Sequence, residues 1–169
     1  FNPLKRDITT PDALFPIVSS TTILSVTFTS DCSFKLHVDN IVHKGHYSIQ
    51  SLTSMRRLDF SDRQLLLAYT TYIRPFLEYC CPVWGPQTQN IAYMADELEH
   101  VQKRATRIIL GPSFSSYESA LELLNLPALF DRRHELIMKF GKSLLTNEKY
   151  RSILPPSASI SRHTRHYSK

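Results

Sequence analysis

The residues best suited to bind a ligand in this chain of 169 residues are three cations near its middle. Lys103, Arg104 and Arg107 fall within little more than one turn of a predicted helix, and Lys103 and Arg107, four residues apart, face one way. A row of cations on a helix matches the spacing of phosphates along a duplex and would bind nucleic acid independently of its sequence. The alternative is a solvated surface face, which is what a run of charges usually forms.

Catalytic groups are harder to find in the sequence. A polymerase needs paired carboxylates to hold two divalent ions, but the aspartates are scattered singly and no Asp-Asp occurs. The glycines are not clustered, so no phosphate-binding loop is indicated. His43 and His46 could share a metal ion, although surface histidines beside Lys44 are the simpler interpretation. We predict no catalytic residue and no metal ligand in this chain.

The cysteines and the single tryptophan are predicted to be structural. Cys80 and Cys81 are adjacent and Cys32 stands apart, so no disulfide framework is indicated and reduced thiols in an intracellular protein are expected. Trp84, flanked by prolines, could stack on a nucleic-acid base. Such a residue more often closes a helix end against the core, and we favour that role.

The basic residues belong to the second of two helices predicted between residues 65 and 111. The first helix is apolar on two sides and should be buried, and Pro75 inside it should kink or split it. A proline-bounded loop follows, and then an amphipathic helix whose cations lie outside its apolar seam. The residues of that seam, spaced by three and four, are Met94, Leu98, Val101, Ala105 and Ile108.

The flanking segments carry clear start signals. Residues 21–28 alternate and are rich in β-branched side chains, which predicts a strand, and Ser33 is a plausible N-cap for a helix from about 34 to 58. Ser61 with Gln64, and Ser115 with Glu118, have the spacing of capping boxes. Pro127 suits the first turn of a later long helix. We therefore predict a mainly α protein: a helical bundle with a short N-terminal strand or hairpin.

The overall composition is that of a globular protein, with 42% hydrophobic and 21% charged residues. The net charge of +5 favours a polyanionic partner. Charged residues and Pro75 interrupt the longest apolar run, and the first twenty residues lack the apolar core of a signal peptide, so neither a membrane span nor a signal is predicted. We expect the chain to be a piece of a longer polypeptide.

Several separated strings share their order with one protein family. They are ILSVTFTSDCSFKLHVDNIV (23–42), YIRP (72–75), LEY (77–79), PVW (82–84), LE (98–99), VQKRATR (101–107), SYE (116–118), LNLPAL (124–129) and RR (132–133). Together they span roughly residues 23 to 155 and resemble the region that follows the polymerase palm in reverse transcriptases of non-LTR (LINE-type) retrotransposons.

The resemblance implies a division of the chain. Residues 1–20 would be an irregular lead-in, and 21–32 would match the end of the palm, where Leu24, Ser25 and Val26 correspond to the primer grip. Ser25 stands where the family usually has glycine, which casts doubt on a close approach of the backbone to a primer. Residues 33–90 would form thumb-like helices and 91–151 connector helices, and the basic tail at 152–169 is expected to be disordered.

The resemblance also implies a function. The chain would be a non-catalytic C-terminal part of an RNA-directed DNA polymerase that grips template RNA and RNA/DNA hybrid. It would not be an enzyme by itself and would have no cofactor, because the catalytic aspartates and divalent metal belong to the palm, its expected protein partner. No membrane or small-molecule substrate is expected, and the protein would act as a ribonucleoprotein in the nucleus or cytoplasm. The residues expected to contact phosphates are Lys35, Lys44, Arg56, Arg57, Lys103, Arg104 and Arg107.

Two other hypotheses fit the same sequence. One is a helical protein-interaction module, in which the seam over residues 94–108 docks a partner helix. The other is a degenerate retroelement relic without function, which the substitution at Ser25 and the missing Asp-Asp pair would both favour.

Overall fold

The computed structural model describes residues 8–10, 13–15, 18–89, 91–152 and 154. Within them the protein is mainly α-helical, as predicted, with short antiparallel hairpins before the helices. The strands are β1 (Ile8–Thr10), β2 (Ala13–Phe15), β3 (Ser20–Ile23) and β4 (Val26–Thr29). The helices are α1 (Lys35–Arg57), α2 (Asp62–Ala68), a π segment (Tyr69–Ile73), α3 (Arg74–Glu78), α4 (Cys81–Gln89), α5 (Ala92–Leu110), a 3-10 turn (Gly111–Ser113), α6 (Tyr117–Leu123), α7 (Leu129–Thr146) and α8 (Glu148–Arg151).

The described part of the N-terminal side contains two hairpins, where the sequence analysis predicted an irregular lead-in followed by a strand or hairpin. The lead-in predicted to be irregular contains the β1–β2 ladder, whose three-residue strands are too short to show alternation. Of the predicted strand or hairpin, the hairpin is confirmed: residues 21–28 are not one strand, because β3 and β4 pair antiparallel and Leu24 and Ser25 form the turn between them. Both residues have positive φ, 47° and 65°, the conformation of a two-residue hairpin turn that usually selects Asn-Gly. Because Leu-Ser is not the residue pair expected in such a turn, the turn could not be recognised from the sequence.

The start of α1 is fixed by packing and not by a polar cap. Ser33, the predicted N-cap, does not hold that position; Phe34 precedes the helix with φ 52° and makes no side-chain cap bond. The Phe34 ring is buried and meets Phe28 of β4 edge-on, with ring centroids 5.4 Å apart. The packing of this aromatic pair sets the point at which the chain turns into the helix.

The central helix begins as predicted. The Ser61 hydroxyl accepts from the Gln64 amide, and the Gln64 carboxamide accepts from the Ser61 amide at 2.9 Å, so both halves of the capping box are present. Pro75 divides the helix as expected. The Arg74 amide donates to the Tyr69 carbonyl five residues back, which makes the π segment between α2 and α3.

The loop predicted around the prolines is a helix instead. Cys80 adopts φ 51° and separates α3 from α4, and Pro82 then falls in the first turn of α4, where its missing donor costs little. Cys81, Trp84 and Thr88 are buried at spacings of three and four. Burial of this face outweighs the low helix propensity of Gly85 and Pro86, which misled the sequence analysis.

The centre of the core is the packing of α1 on α5. A Cβ on Gly45 of α1 would lie 3.0 Å from Val101 Cγ1 and 3.1 Å from Leu77 Cδ2, so the missing side chain permits the close approach. The predicted seam of α5 is buried there, with Ile109 rather than the half-buried Ile108 as its last member. Because α1 already covers this seam, it is not exposed to an external helix in this structure. The interaction-module hypothesis, which placed its docking surface there, stays a hypothesis.

A buried polar network joins the central helices to the C-terminal ones. The Tyr69 hydroxyl donates to Gln102 Oε1 at 2.7 Å, and Gln102 Nε2 donates to the Tyr117 hydroxyl at 2.9 Å and to the Pro127 carbonyl at 3.0 Å. The Tyr117 hydroxyl donates in turn to Glu99 Oε1. Burial and the Glu99 carboxylate raise the pKa of Tyr117, so its hydroxyl stays protonated and able to donate.

Glu99 also starts helix α7. Its Oε1 accepts from the Leu129 amide and its Oε2 from the Phe130 amide, both at 2.9 Å, so one carboxylate satisfies two unpaired donors of the first turn. Pro127 therefore lies just before the helix, not in its first turn as predicted, and Ala128 is the N-cap. In α6 likewise, Ser116 and not Ser115 caps the helix, accepting from the Ser119 amide.

A second cluster ties α3 to α7. Glu78 Oε1 accepts from the guanidinium of Arg132 and lies 3.5 Å from Arg74 Nε. The exposed fractions of the Arg74 and Glu78 side chains are 17% and 12%, so the pair is mostly withdrawn from water. Pairs of this kind are costly to break from one side, because the remaining charge is left without a partner.

Removal of the Glu99 carboxylate should loosen the C-terminal half of the molecule. We expect Glu99→Ala to lower the free energy of unfolding by about 2 to 3 kcal/mol, because two amides and the Tyr117 hydroxyl lose their acceptor. Urea denaturation followed by circular dichroism measures the change. Glu97→Ala, two residues away on α5, should stay within about 0.5 kcal/mol, and equal losses in the two variants would contradict the capping role.

The close approach of α1 and α5 gives a second prediction. Gly45→Leu should destabilise the protein by about 1 to 3 kcal/mol, because the new side chain overpacks the contact with Val101 and Leu77. Gly141→Leu is the matched control, since nothing lies within 4 Å of a Cβ there and the substitution should instead stabilise α7 by about 0.5 to 1 kcal/mol. Thermal denaturation of both variants should therefore show shifts of opposite sign.

Candidate nucleic-acid interface

The three cations of the predicted basic face lie together on α5. Lys103, Arg104 and Arg107 are exposed. Together with His100 of α5 and His46 of α1 they line a groove of about 350 Å³, which we call the α5 groove. Within the described part of the chain, every residue that lines it carries a cationic or imidazole side chain.

The amphipathic pattern of α5 explains this position. His100, Arg104 and Arg107 are spaced by four and three, so they follow one side of the helix, and Lys103 lies next to them. The opposite side is buried through Leu98 and Val101, which forces the charged side outward. The cations lie in the C-terminal half of the helix, where they oppose the partial negative charge of its dipole.

The charges in the groove are not neutralised within the described chain. Neither the Lys103 ammonium nor the Arg104 guanidinium makes a hydrogen bond or an ion pair there. The Arg107 guanidinium lies over the Phe114 ring, 5.0 Å from its centroid, an arrangement that orients the guanidinium without cancelling its charge. The groove therefore presents positive charge that is available to an anionic ligand.

His46 is the titratable group most affected by these cations. Its Nδ1 is buried and has no hydrogen-bond partner in the described residues. Burial lowers the pKa of His46 below its usual value of 6.5, and Arg104, His100 and His43 lower it further, with Glu97 acting in the opposite direction. At neutral pH this imidazole is uncharged, so the three α5 cations carry the positive charge of the site.

The cations predicted on α1 are dispersed. Arg56 pairs with Asp62 at 2.5 Å, and its guanidinium lies against Gly111, so its charge is already engaged. Arg57 is exposed in the last turn of the helix and Lys35 in its first turn.

Lys44 lies on another side of α1 from the α5 groove. It is two residues from His46, about 200° around the helix. It lines a separate depression with His43, Tyr47, Ser48 and Phe76. The structure thus groups Lys103, Arg104 and Arg107, and contact of any of the predicted cations with phosphate stays a prediction.

The residues that correspond to the primer grip form the β3–β4 turn. Leu24 is 80% exposed at the tip, and its carbonyl accepts from the Tyr79 hydroxyl at 3.1 Å. Val26 is buried. Ser25 has φ 65°, a conformation that glycine adopts without strain, so the residue type that the resemblance leads us to expect would fit this backbone.

Trp84 has the structural role that we favoured. Its ring is fully buried, and its indole nitrogen donates to the Tyr79 carbonyl at 2.8 Å. His37 meets the ring edge-on at 5.6 Å, and the buried Arg133 lies 5.9 Å from its centroid. A ring enclosed in this way cannot stack on a nucleic-acid base.

Where the structure describes them, the cysteines and histidines form no reactive centre. Cys32, Cys80 and Cys81 are free, and burial raises the pKa of the Cys81 thiol to about 11, which makes it unreactive at neutral pH. Among the described residues there is no group of three or more potential metal ligands. No helix in the same part of the chain is long and apolar enough to cross a membrane.

Sequence reasoning missed His46 and His100 as lining residues of the α5 groove, and Phe114 as a contact of Arg107. His100 could have been found, because it lies four residues before Arg104 and seven before Arg107 on the same helical face. Phe114 carried no local signal, since its contact with Arg107 depends on the turn that follows α5. The basic tail predicted over 152–169 lies outside the described residues except for Ser152 and Leu154.

Comparison with known proteins gives no match, whether with protein-family models, with curated proteins or with solved structures. The resemblance to reverse transcriptases therefore depends on the sequence strings given above.

The environment of His46 predicts a loss of stability in acid. Because its pKa is lower in the folded than in the unfolded chain, the unfolded chain binds the proton first as pH falls below about 6.5. The stability associated with the neutral form of His46 is fully present above that pH and is lost progressively below it. The free energy of unfolding should therefore decrease between about pH 7.5 and 5, measured by urea denaturation at each pH.

Variants of His46 and Arg104 separate this effect from general acid instability. His46→Gln should show a smaller decrease, and Arg104→Gln should also reduce it, since the nearby positive charge is removed. His37 is buried and its pKa is also lowered, so part of the decrease should remain in both variants. Arg57→Gln, which removes a cation that does not act on His46, should behave as the parent chain. A loss of equal size in all these proteins would exclude His46 as a source.

Proposed function

We propose that this chain is the non-catalytic C-terminal part of a non-LTR retrotransposon reverse transcriptase and grips template RNA and RNA/DNA hybrid. The α5 groove supports the binding role, because unpaired cations follow an exposed helix face there. The order of the strings that resemble the thumb and connector supports the choice of family. The mainly helical architecture agrees with that choice.

The dimensions of the groove suit a nucleic-acid backbone. From His100 to Arg107 the helix rises about 10 Å. This length corresponds to about three phosphates of one strand at 3.4 Å per phosphate. Three cations over this distance would position a duplex by its backbone and not by its bases. Such a contact tolerates any sequence, as a polymerase that copies a long template requires.

The remaining parts of the proposal concern the parent protein. The palm would supply the catalytic aspartates and the divalent metal ions, and this chain would contact it. The expected active species is a ribonucleoprotein in the nucleus or the cytoplasm. The rival is a retroelement relic without function, which would keep the fold for a time but need not bind nucleic acid.

A salt titration tests the proposed grip. The full chain should bind a labelled RNA/DNA hybrid with an affinity that falls linearly on a plot of log affinity against log salt. Changing Lys103, Arg104 and Arg107 together to Ala should lower the slope by about two to three units, since each phosphate contact contributes about 0.7 to 0.9. Fluorescence anisotropy at several salt concentrations measures both slopes.

The matched control removes the same charge elsewhere. Lys139, Lys142 and Lys149 lie on α7 and α8 and do not line the α5 groove. Changing these three to Ala alters the net charge equally and should leave most of the slope intact. Loss of the same slope in both triple variants would indicate attraction by net charge alone. Absence of binding at about 50 mM salt would remove the proposed function and favour the relic.

A further inference from the structure

A second depression lies on α1 away from the α5 groove. Tyr47 of α1, Tyr72 of the π segment and Phe76 of α3 line it, and we call it the aromatic groove. Its two adjoining parts have volumes of about 390 and 320 Å³ and share Tyr47, Ser48 and Phe76.

The three aromatic side chains are exposed. The exposed fraction is 73% for Tyr47, 71% for Tyr72 and 51% for Phe76. Large apolar side chains grouped on one surface usually mark a binding site. The π segment contributes to this grouping, since Tyr69 and Ile73 are buried while Tyr72 is left outside. Short π segments within α-helices are frequent at functional sites.

The charge and polarity of the groove narrow the choice of ligand. Lys44 and His43 lie at one end, and no acidic residue lines either part among the residues that the structure describes. The rest of the polar lining consists of hydroxyl and carboxamide groups, from Ser48, Gln50, Ser51 and Ser54. Aromatic faces beside a cation, without carboxylates, suit a ligand that carries both π systems and negative charge.

We propose that the aromatic groove binds a single-stranded segment of nucleic acid, with bases stacked on Tyr47, Tyr72 and Phe76 and phosphates near Lys44. A duplex hides the faces of its bases, whereas an unpaired strand exposes them. From Lys44 to Ser54 the helix rises about 15 Å, which corresponds to about four stacked nucleotides. The proposal rests on the proposed function, because that function makes nucleic acid the expected ligand. The residues that support it are different from those of the α5 groove.

Base stacking in the aromatic groove and phosphate binding in the α5 groove respond to different changes in the ligand, so one set of experiments can test both grooves. The probe is a labelled single strand of about eight nucleotides, compared with the same strand made of abasic sugars and with the RNA/DNA hybrid. Tyr47→Ser with Tyr72→Ser should weaken binding of the single strand by at least about 20-fold, because two stacking surfaces are lost. The hybrid should be affected less than about twofold, and the salt slope should not change.

The control variant removes two tyrosines elsewhere. Tyr93 and Tyr150 are 51% and 44% exposed and line neither part of the aromatic groove. Tyr93→Ser with Tyr150→Ser should bind the single strand as the parent chain does. The abasic strand should bind the parent weakly and should not distinguish the parent from the Tyr47 and Tyr72 variant, because it has no bases to stack.

The outcomes separate this proposal from the grip at α5. Single-strand affinity unchanged in the Tyr47 and Tyr72 variant would overturn it, as would equal affinity of the parent for the abasic and the intact strand. Loss of a salt-resistant self-association in that variant, seen by sedimentation, would show that the surface binds protein instead. If the single strand behaves as expected while the α5 triple variant keeps its salt slope with the hybrid, the aromatic groove stands and the proposed grip fails.

Discussion

The arrangement of the C-terminal helices depends on the two hydrogen bonds that Glu99 accepts from amides in the first turn of α7. A helix start leaves its first amides without partners, and here a carboxylate from another helix supplies them. Its negative charge also meets the positive end of the α7 dipole. Because Glu99 belongs to α5, the direction in which α7 leaves the core is tied to the helix that carries the basic groove. Tyr117 and Gln102 extend the same network to α6 and to the central helices.

The strings that resemble reverse transcriptases coincide largely with these internal contacts. Glu78 and Arg132 come from different strings and pair with each other, and Glu99 and Tyr117 do the same. Trp84 is enclosed in the core. The strings therefore contain buried and partly buried partners that define how the helices pack. Nucleic-acid binding needs separate support, which the unpaired cations of the α5 groove provide.

Capping residues, prolines and apolar spacing predicted the fold correctly where contacts between residues close in sequence determine the structure. The capping box at Ser61, the division of the helix at Pro75 and the buried seam of α5 each depend on neighbours within a turn or two. The errors occur where distant packing prevails. Phe34 begins α1 because Phe28 covers it, and α4 is helical because its buried face outweighs its prolines. The basic residues of α5 were predictable from spacing, but the dispersal of the α1 cations depends on Asp62 and on the position of α3.

The π segment has a consequence for the geometry of the buried stripe that runs from α2 into α3. Leu65, Tyr69, Ile73 and Leu77 are each four residues apart, and all are fully or almost fully buried. In a regular α-helix, residues spaced by four advance around the axis by about 40° at each step, so the stripe would rotate by about 120° over its length. The wider turn between Tyr69 and Arg74 cancels part of that rotation. It therefore keeps the stripe in register: deletion of one residue there would turn everything after it by about 100°, so the inner face of α3 would move about a quarter turn towards solvent.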